Sequence, residues 1–289
     1  MAAGGPATVG DADLIRSRDQ TEIYVRHVAP AGQCTARLLW IHGFAEHGGR
    51  YTDTLDWFAG RGVESWMLDL RGHGKSGGKR VYIDRFSDYL DDVEALYHQA
   101  GQSDDLPTFW IAHSMGGLVL ARFLQERAGC LEGIDGAVIL SPFMGTEIEL
   151  PGWKTAIARL LSSLCPSFAL PVGALPDLLS KDPAVGRGYV EDPLIPKRAT
   201  ARWFTETEEA QRLAIKRAAA IQLPALVMHG LDDGLADVEA TKKFFAALSS
   251  EAKELKLWEN LRHELLNEVE KDAVREHISN WIGAATTPP

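Results

Sequence analysis

Cysteine is scarce, with three in 289 residues: Cys34, Cys130 and Cys165. An odd count, set mostly among apolar neighbours, suits reduced and buried thiols rather than a disulfide framework, and cysteine chemistry is not expected. Positive charge is also in short supply, since 30 Lys and Arg face 40 Asp and Glu for a formal net charge of -10. A nucleic-acid binder needs a basic stripe to neutralise phosphates, so nucleic acid is not an expected partner. No apolar run approaches the roughly 20 residues that cross a bilayer. Residues 1–19 lack a basic segment followed by an apolar one, so neither a signal peptide nor a membrane span is expected, and the expected location is cytoplasmic. Internal repeats and low-complexity tracts are missing too. The length is enough to bury a sizeable core in one large domain or a core with an insertion.

What the chain does have is alternation. Short β-type runs fall at 22–28, 37–41, 63–68, 108–112, 136–140, 225–229 and 255–258, with helical periodicity at 51–59, 86–100, 118–127, 238–248 and 265–282. Several strands are continuously apolar, as strands buried on both faces are, and the order predicts a parallel, doubly wound α/β sheet. The interval between 140 and 225 is far longer than one crossover helix requires. It is rich in proline (Pro151, Pro166, Pro171, Pro176, Pro183, Pro193, Pro196), and 153–179 carries more apolar residues than a solvated connector needs. We read 1–142 and 223–289 as the α/β core and 143–222 as an inserted, largely helical cap over the carboxyl ends of the strands. A lid over a site predicts exposed apolar surface, whereas a helical subdomain closed on its own small core does not; both fit the sequence.

Ser114 lies in Ala112-His113-Ser114-Met115-Gly116-Gly117, after an apolar strand and before a helix. A nucleophile elbow needs this pattern, because a turn tight enough to free the hydroxyl leaves no room for side chains two positions to either side. Gly116 and Ala112 fill those places, the latter one methyl group away from the G-x-S-x-G form. The other reading is a serine that merely caps the following helix. A serine nucleophile also needs a base, and the base an orienting carboxylate. The strand at 225–229 runs into Gly230-Leu231-Asp232-Asp233, and the strand at 255–258 into Glu259-Asn260-Leu261-Arg262-His263. Parallel neighbours bring such loops together at their carboxyl ends. His263 is the candidate base; Asp233 and Asp232 compete as the acid. His27, His98, His229 and His277, on strands and helices, are expected to be structural, and His113 to point away from the nucleophile. An oxyanion needs two backbone amides, one after the nucleophile and one after an early strand. Met115 is the first; Phe44, in the glycine-bearing loop after 37–41, is the second.

These motifs in this order resemble the monoacylglycerol lipase and lysophospholipase group of serine α/β-hydrolases. His42-Gly-Phe-Ala-Glu-His-Gly-Gly-Arg-Tyr51 is similar to the family's oxyanion loop, Asp69-Leu-Arg-Gly-His-Gly-Lys-Ser76 to its D-x-R-G-H-G-x-S segment, His113-Ser-Met-Gly-Gly117 to its nucleophile turn, and Asp192-Pro193-Leu194 to a short motif of its cap. The resemblance favours Asp233, three residues after Gly230, as the acid. It implies the α/β-hydrolase fold and hydrolysis of lipid esters through an acyl-enzyme, with no metal and no organic cofactor. It also implies a cap through which substrate enters from a membrane or micelle surface. Glu46 and Arg50 match positions near the head-group end of the family's monoglyceride pocket; a buried ion pair or loop anchor is the other reading. The family's further histidine, three residues after the catalytic one, is Leu266 here, which puts glycerol recognition in question.

Rival chemistries are weaker. His263-Glu264-Leu265-Leu266-Asn267 begins like the zinc pattern H-E-x-x-H but offers Asn at the second ligand position; Glu264 and Asn267 are expected to begin the last helix instead. Serine at the elbow excludes the carboxylate-nucleophile members of the fold. A short-chain carboxylesterase, a thioesterase or a proline-releasing peptidase would share every catalytic part, and a non-catalytic binding module would usually have lost one.

Overall fold

The computed structural model describes residues 8–100, 106–130, 132–148, 151–172 and 175–286. The parts of the expected core and cap at 1–7, 101–105, 131, 149–150, 173–174 and 287–289 lie outside the described residues. The elements run β1 (Thr8–Arg16), β2 (Glu22–Ala29), β3 (Ala36–Ile41), α1 (Thr52–Ala59), β4 (Val63–Leu68), α2 (Ser87–Gln99), β5 (Thr108–His113), α3 (Met115–Glu126) and β6 (Gly136–Leu140). Then come α4 (Gly152–Leu164), β7 (Ala169–Pro171), α5 (Pro183–Glu191), β8 (Arg198–Thr200) and α6 (Ala201–Lys216). The chain closes with β9 (Ala225–Gly230), α7 (Val238–Ala247), β10 (Lys253–Trp258) and α8 (Lys271–Thr286).

Eight strands form one sheet in the order β1-β2-β4-β3-β5-β6-β9-β10. The β1–β2 and β2–β4 pairs are antiparallel and all the others parallel, so the doubly wound, mostly parallel sheet read from the sequence is present. Every residue of β3, β5 and β9 is buried. Because alternate residues face opposite sides, Leu38, Trp40, Phe109 and Ile111 pack with α1 and α8, while Leu39, Ile41, Trp110 and Ala112 pack with α2, α3 and α7. Each such side chain, fully buried, contributes about 1.5–3 kcal/mol. The chain order doubles back beside β3: β4 lies on one side of it and β5 on the other. That reversal opens a crevice at the strands' carboxyl ends, where such sheets hold their sites.

Three differences from the sequence reading have simple causes. β1 has little apolar signal, being an edge strand that places Asp11 and Asp13 among its residues, and charge is what edge strands tolerate. The last helix starts at Lys271 rather than at 265, because 265–267 form a separate 3-10 turn and Glu268 is extended. Cys165 is exposed and Cys34 half-buried, so only Cys130 is the buried thiol expected of all three. Within 143–222 the helices α4, α5 and α6 are joined by a small antiparallel pair, β7 with β8. Trp203, Ala210 and Ala214 of α6 belong to the same apolar cluster as α3, which seats the interval on the sheet's helical layer.

Gly116 tests how tightly the elbow is packed. A Cβ there would meet the backbone oxygens of His42 and Ile41, the latter at 2.5 Å, and backbone atoms cannot rotate aside. Overpacking costs about 1–3 kcal/mol, which outweighs the helix-propensity gain of about 1 kcal/mol from Gly to Ala. Gly116→Ala should therefore lower the urea midpoint. A midpoint at or above that of the unaltered protein would contradict this packing.

Candidate active site

Ser114 lies between β5 and α3 with φ 52° and ψ -120°, a backbone region that residues other than glycine seldom occupy. Such strain costs about 1–3 kcal/mol and persists only where surroundings impose it. Here its N–H donates to the Leu140 carbonyl at 2.9 Å, and its own carbonyl accepts from Leu118 at 3.1 Å and Phe143 at 3.0 Å. The hydroxyl makes no capping bond to α3. It lies 2.8 Å from His263 Nε2, so the cap-only reading of this serine does not describe the molecule.

His263 Nδ1 lies 2.7 Å from Asp233 Oδ2. The same carboxylate accepts the amides of Leu235 at 2.8 Å and Ala236 at 3.0 Å through Oδ1. Burial alone would raise the Asp233 pKa, but His263 and His229 hold it well below the usual carboxylate range. For His263, burial pushes the pKa down and the Asp233 carboxylate pushes it up further, leaving it above the ordinary imidazole value. Asp232, the competing acid, instead pairs with Lys181 at 2.8 Å on the surface. Asp237 caps α7 by accepting from the Ala240 N–H at 3.0 Å, fixing the far end of the Asp233 loop.

Two histidines fall closer to this line than the sequence suggested. His229 Nε2 is 3.0 Å from Asp233 Oδ2, and its Nδ1 is 3.0 Å from Thr241 Oγ1; the signal was a histidine directly before Gly230 in H-G-x-x-D. His113 does not point away. Its ring centroid lies 4.8 Å from that of His263, because strand alternation ends where Ser114 reverses the chain. Burial keeps His113 neutral, with a pKa lowered to about 3.

The loop after β3 closes over the serine. A Cβ on Gly43 would sit 2.7 Å from Glu46 Oε1 and 2.9 Å from Ser114 Cβ, so only glycine allows this approach. The amides of Phe44 and Met115 donate to no protein acceptor among the described residues, and the Phe44 ring packs at a tilt of 32° on Trp203, with centroids 4.3 Å apart. His42 braces the loop, donating from Nδ1 to the Gly43 carbonyl at 2.7 Å and accepting the Leu70 amide at 2.9 Å. Asp69 accepts the amides of Gly48 at 2.7 Å and Lys75 at 2.8 Å. Ser76 Oγ accepts the Tyr24 amide and donates to the Asp69 carbonyl. The D-x-R-G-H-G-x-S segment is thus a backbone brace beneath the loop that follows β3.

Glu46 and Arg50 are buried together. Glu46 accepts from the Gly43 amide at 2.5 Å, the Tyr51 hydroxyl at 3.0 Å and Arg50 at 3.1 Å. Arg50 also grips Glu264 with both terminal nitrogens, at 2.6 and 2.8 Å. Burial raises the Glu46 pKa, while the arginine fork holds that of Glu264 down. Glu268 accepts the Arg262 amide at 2.6 Å, the Lys181 amide at 2.8 Å and the Ser180 hydroxyl at 2.8 Å. The sequence reading gave Glu264 only as a residue that begins the last helix and Glu268 no role, since Arg50, Lys181 and Ser180 are remote from them in the chain. From the interval 143–222, Asp192 Oδ2 meets His47 Nε2 at 2.8 Å, and Tyr189 lies over Arg50 at 5.4 Å. On α4, Trp153, Ile157, Leu160 and Leu164 form a stripe that is 45–71% exposed.

This sheet, with a serine elbow after β5 and loops from β3, β9 and β10 converging on it, defines an α/β-hydrolase. The chain belongs to the family described as serine aminopeptidase S33, matching it over residues 32–270. It is 33% identical to a monoacylglycerol lipase of Mycolicibacterium smegmatis over 85% of this chain and 87% of that protein. It is 30% identical to phospholipase YtpA of Bacillus subtilis, over 84% and 93% respectively. It also spans 28% of a longer abhydrolase domain-containing protein of Dictyostelium discoideum at 31% identity. Among solved structures, monoacylglycerol lipase from Paleococcus ferrophilus superposes with a TM-score of 0.83 at 26% identity, covering 92% of this chain and all of that one.

Asp233→Asn and Asp232→Asn separate the two acids. The first should lower turnover by about 10⁴-fold, the scale for losing a triad carboxylate, and the second by less than about threefold, as befits an exposed ion pair. A protonated His263 cannot take the serine proton, so kcat/KM should fall as pH drops through a value above the imidazole reference of about 6.5. In Asp233→Asn the residual acid limb should move to lower pH, since the carboxylate that raises the His263 pKa is gone. An unmoved limb would detach Asp233 from this histidine.

Proposed function

We propose that the protein hydrolyses carboxylic esters of lipids, monoacylglycerol or lysophospholipid in type, through an acyl-enzyme on Ser114. The observation that carries this reading is the continuous line Asp233–His263–Ser114 at 2.7 and 2.8 Å, ending at a strained elbow. His263 takes the Ser114 proton as Oγ attacks the ester carbonyl, and returns it to the departing alcohol. Asp233 keeps the imidazole in the Nδ1–H tautomer and stabilises the cation that forms. The amides of Phe44 and Met115 receive the oxyanion, each contributing about 10²–10³ in rate. Water then enters by the same route, with His263 as base, and frees the acid.

The lipid assignment draws on relatives named for monoacylglycerol and phospholipid hydrolysis, and on the exposed apolar stripe of α4. In this reading 143–222 is the cap, and α4 rests against a membrane or micelle surface while the substrate passes beneath it. No described helix is long and apolar enough to cross a membrane. The family description as a serine aminopeptidase supports a second reading, a peptidase on the same residues.

Ser114→Ala should abolish both fluorophosphonate labelling and ester turnover; retained labelling would remove Ser114 from its role. A panel of long-chain monoglycerides, lysophospholipids, short aryl esters, acyl thioesters and proline amides should favour the long-chain lipid esters, and preference for the amides would establish the peptidase instead. Trp153→Ser with Leu160→Ser should reduce turnover of vesicle-borne monoglyceride about tenfold or more, each lost aromatic or leucine contact being worth over 1 kcal/mol. Soluble p-nitrophenyl butyrate should be turned over as before. Equal loss on both substrates would place these residues in folding rather than in surface contact.

A further inference from the structure

The cluster behind the active site has a shape that charge burial alone does not require. Gly43 N–H donates to Glu46, Glu46 accepts from Arg50, and Arg50 grips Glu264 with both terminal nitrogens. Glu264 is the residue after His263, and Gly43 is the residue before Phe44. The chain of contacts thus runs from the loop proposed to hold one oxyanion donor to the loop that holds the base. Every member is withdrawn from water: Glu46 is 2% and Glu264 4% exposed, and the Arg50 side chain 10%. Asn267 Nδ2 donates to Glu264 Oε2 at 2.9 Å, and the Glu264 amide donates to the Leu179 carbonyl at 2.8 Å. The glutamate is therefore held on both its side chain and its backbone.

Two carboxylates share one guanidinium, and burial raises the Glu46 pKa, so the cluster is an unfavourable thing to bury if stability were all that mattered. Apolar residues of similar volume often replace a buried ion pair without loss of stability. A bidentate arginine–carboxylate pair differs from an apolar contact in having one permitted orientation in a plane. Such a contact fixes distance and angle between the two loops that carry its ends.

We propose that Arg50 and Glu264 are positioning residues. Their fork sets the separation of the oxyanion loop from the His263 loop, so that the Phe44 amide and the His263 imidazole address the same tetrahedral carbon. The inference rests on the reading of Ser114, His263 and Phe44 given above. It also gives Arg50 a role other than contact with the substrate head group, because both its terminal nitrogens are engaged by protein carboxylates. Each residue acts through a loop rather than by touching the reacting atoms.

Glu264→Gln keeps the shape and one acceptor oxygen but removes the charge and one of the two bonds of the fork, and Arg50→Lys keeps the charge but removes the fork. Both variants are to be compared with the unaltered chain and with Ser114→Ala on p-nitrophenyl butyrate and on a long-chain monoglyceride. Positioning predicts that kcat falls by about 10²-fold on both substrates with KM nearly unchanged, the scale of a misplacement near 1 Å. The double variant should be little worse than the poorer single one, since one contact is being removed twice. Circular dichroism and the urea midpoint identify a variant that has not folded, in which case the other decides. A kcat within twofold of the unaltered chain in a folded variant overturns the proposal. So does a rise in KM confined to the monoglyceride, which would return Arg50 to head-group binding. Labelling that survives in Ser114→Ala would instead refute the underlying serine mechanism, whatever the two variants do.

Discussion

A five-residue loop holds the site together. His263 follows β10 at the edge of the sheet, while Ser114 follows β5, three strand spacings inward. At about 4.8 Å per spacing that is roughly 14 Å, a gap that residues 259–263 and the two side chains close together. The chain turns at 259–260, with Asn260 at φ 63°, and then crosses the end of β9. Gly230 records the crossing, since a Cβ there would strike the carbonyl oxygens of Leu261 and Arg262. The Leu231 amide donates to Trp258 at 2.9 Å and the Asp232 amide to Leu261 at 3.0 Å, tying the two loops edge to edge. With Asp233 on the loop being crossed, the imidazole has few other places to go.

The crossing alone does not orient a ring. The loop is fastened on its far side by Glu268, which accepts the Arg262 amide, and by the fork from Arg50 to Glu264. Breaking one partner of a buried ion pair typically costs about 3–5 kcal/mol, a large share of the 5–15 kcal/mol by which a domain is stable. These acids serve geometry at a place where an apolar core would serve stability equally well. The same economy appears under the oxyanion loop, where Asp69, His42 and Ser76 spend their polar atoms on backbone groups. Those bonds hold the loop that presents the Phe44 amide, which like the Met115 amide has no protein acceptor among the described residues.

The parts legible in the sequence are those whose chemistry is local. Steric crowding at an elbow dictates small residues around Ser114, and chain order along parallel strands puts Asp233 and His263 after it; the hydrogen-bonded line follows those positions. Periodicity located seven of the strands: continuous burial leaves apolar runs in β3, β5, β6 and β9, while β2 and β4 alternate buried with less buried residues. What stayed hidden depends on partners distant in the chain. Glu264 reads as an ordinary helix-starting acid until Arg50 meets it, and His113 reads as a strand residue facing away until the turn at Ser114 is drawn. β1 is hidden for a different reason, since an edge strand is under no pressure to be apolar. Leu266 is buried at 3% exposure, filling the place where the family resemblance implied a histidine. An apolar group there can offer no hydrogen bond to a glycerol hydroxyl.

That substitution changes what must discriminate substrates under the proposed function. With Arg50 engaged by two glutamates and Leu266 apolar, neither position offers a free polar group to read a head group, and in this reading selection falls to the acyl chain. Each methylene that leaves a membrane for water costs about 0.8 kcal/mol, so a chain of about fourteen carbons faces a barrier near 11 kcal/mol if it must cross solvent. The stripe Trp153, Ile157, Leu160 and Leu164 offers a continuous apolar surface on one helix of the proposed cap. The ester end, by contrast, must reach Ser114, only 7% exposed, between loops whose spacing is fixed. An exposed apolar entrance over a hydrogen-bonded polar interior lets the acyl chain find its own path while the carbonyl is allowed one position. Selectivity by chain partition and catalysis by fixed geometry then occupy different parts of the fold, and changes in one need not disturb the other.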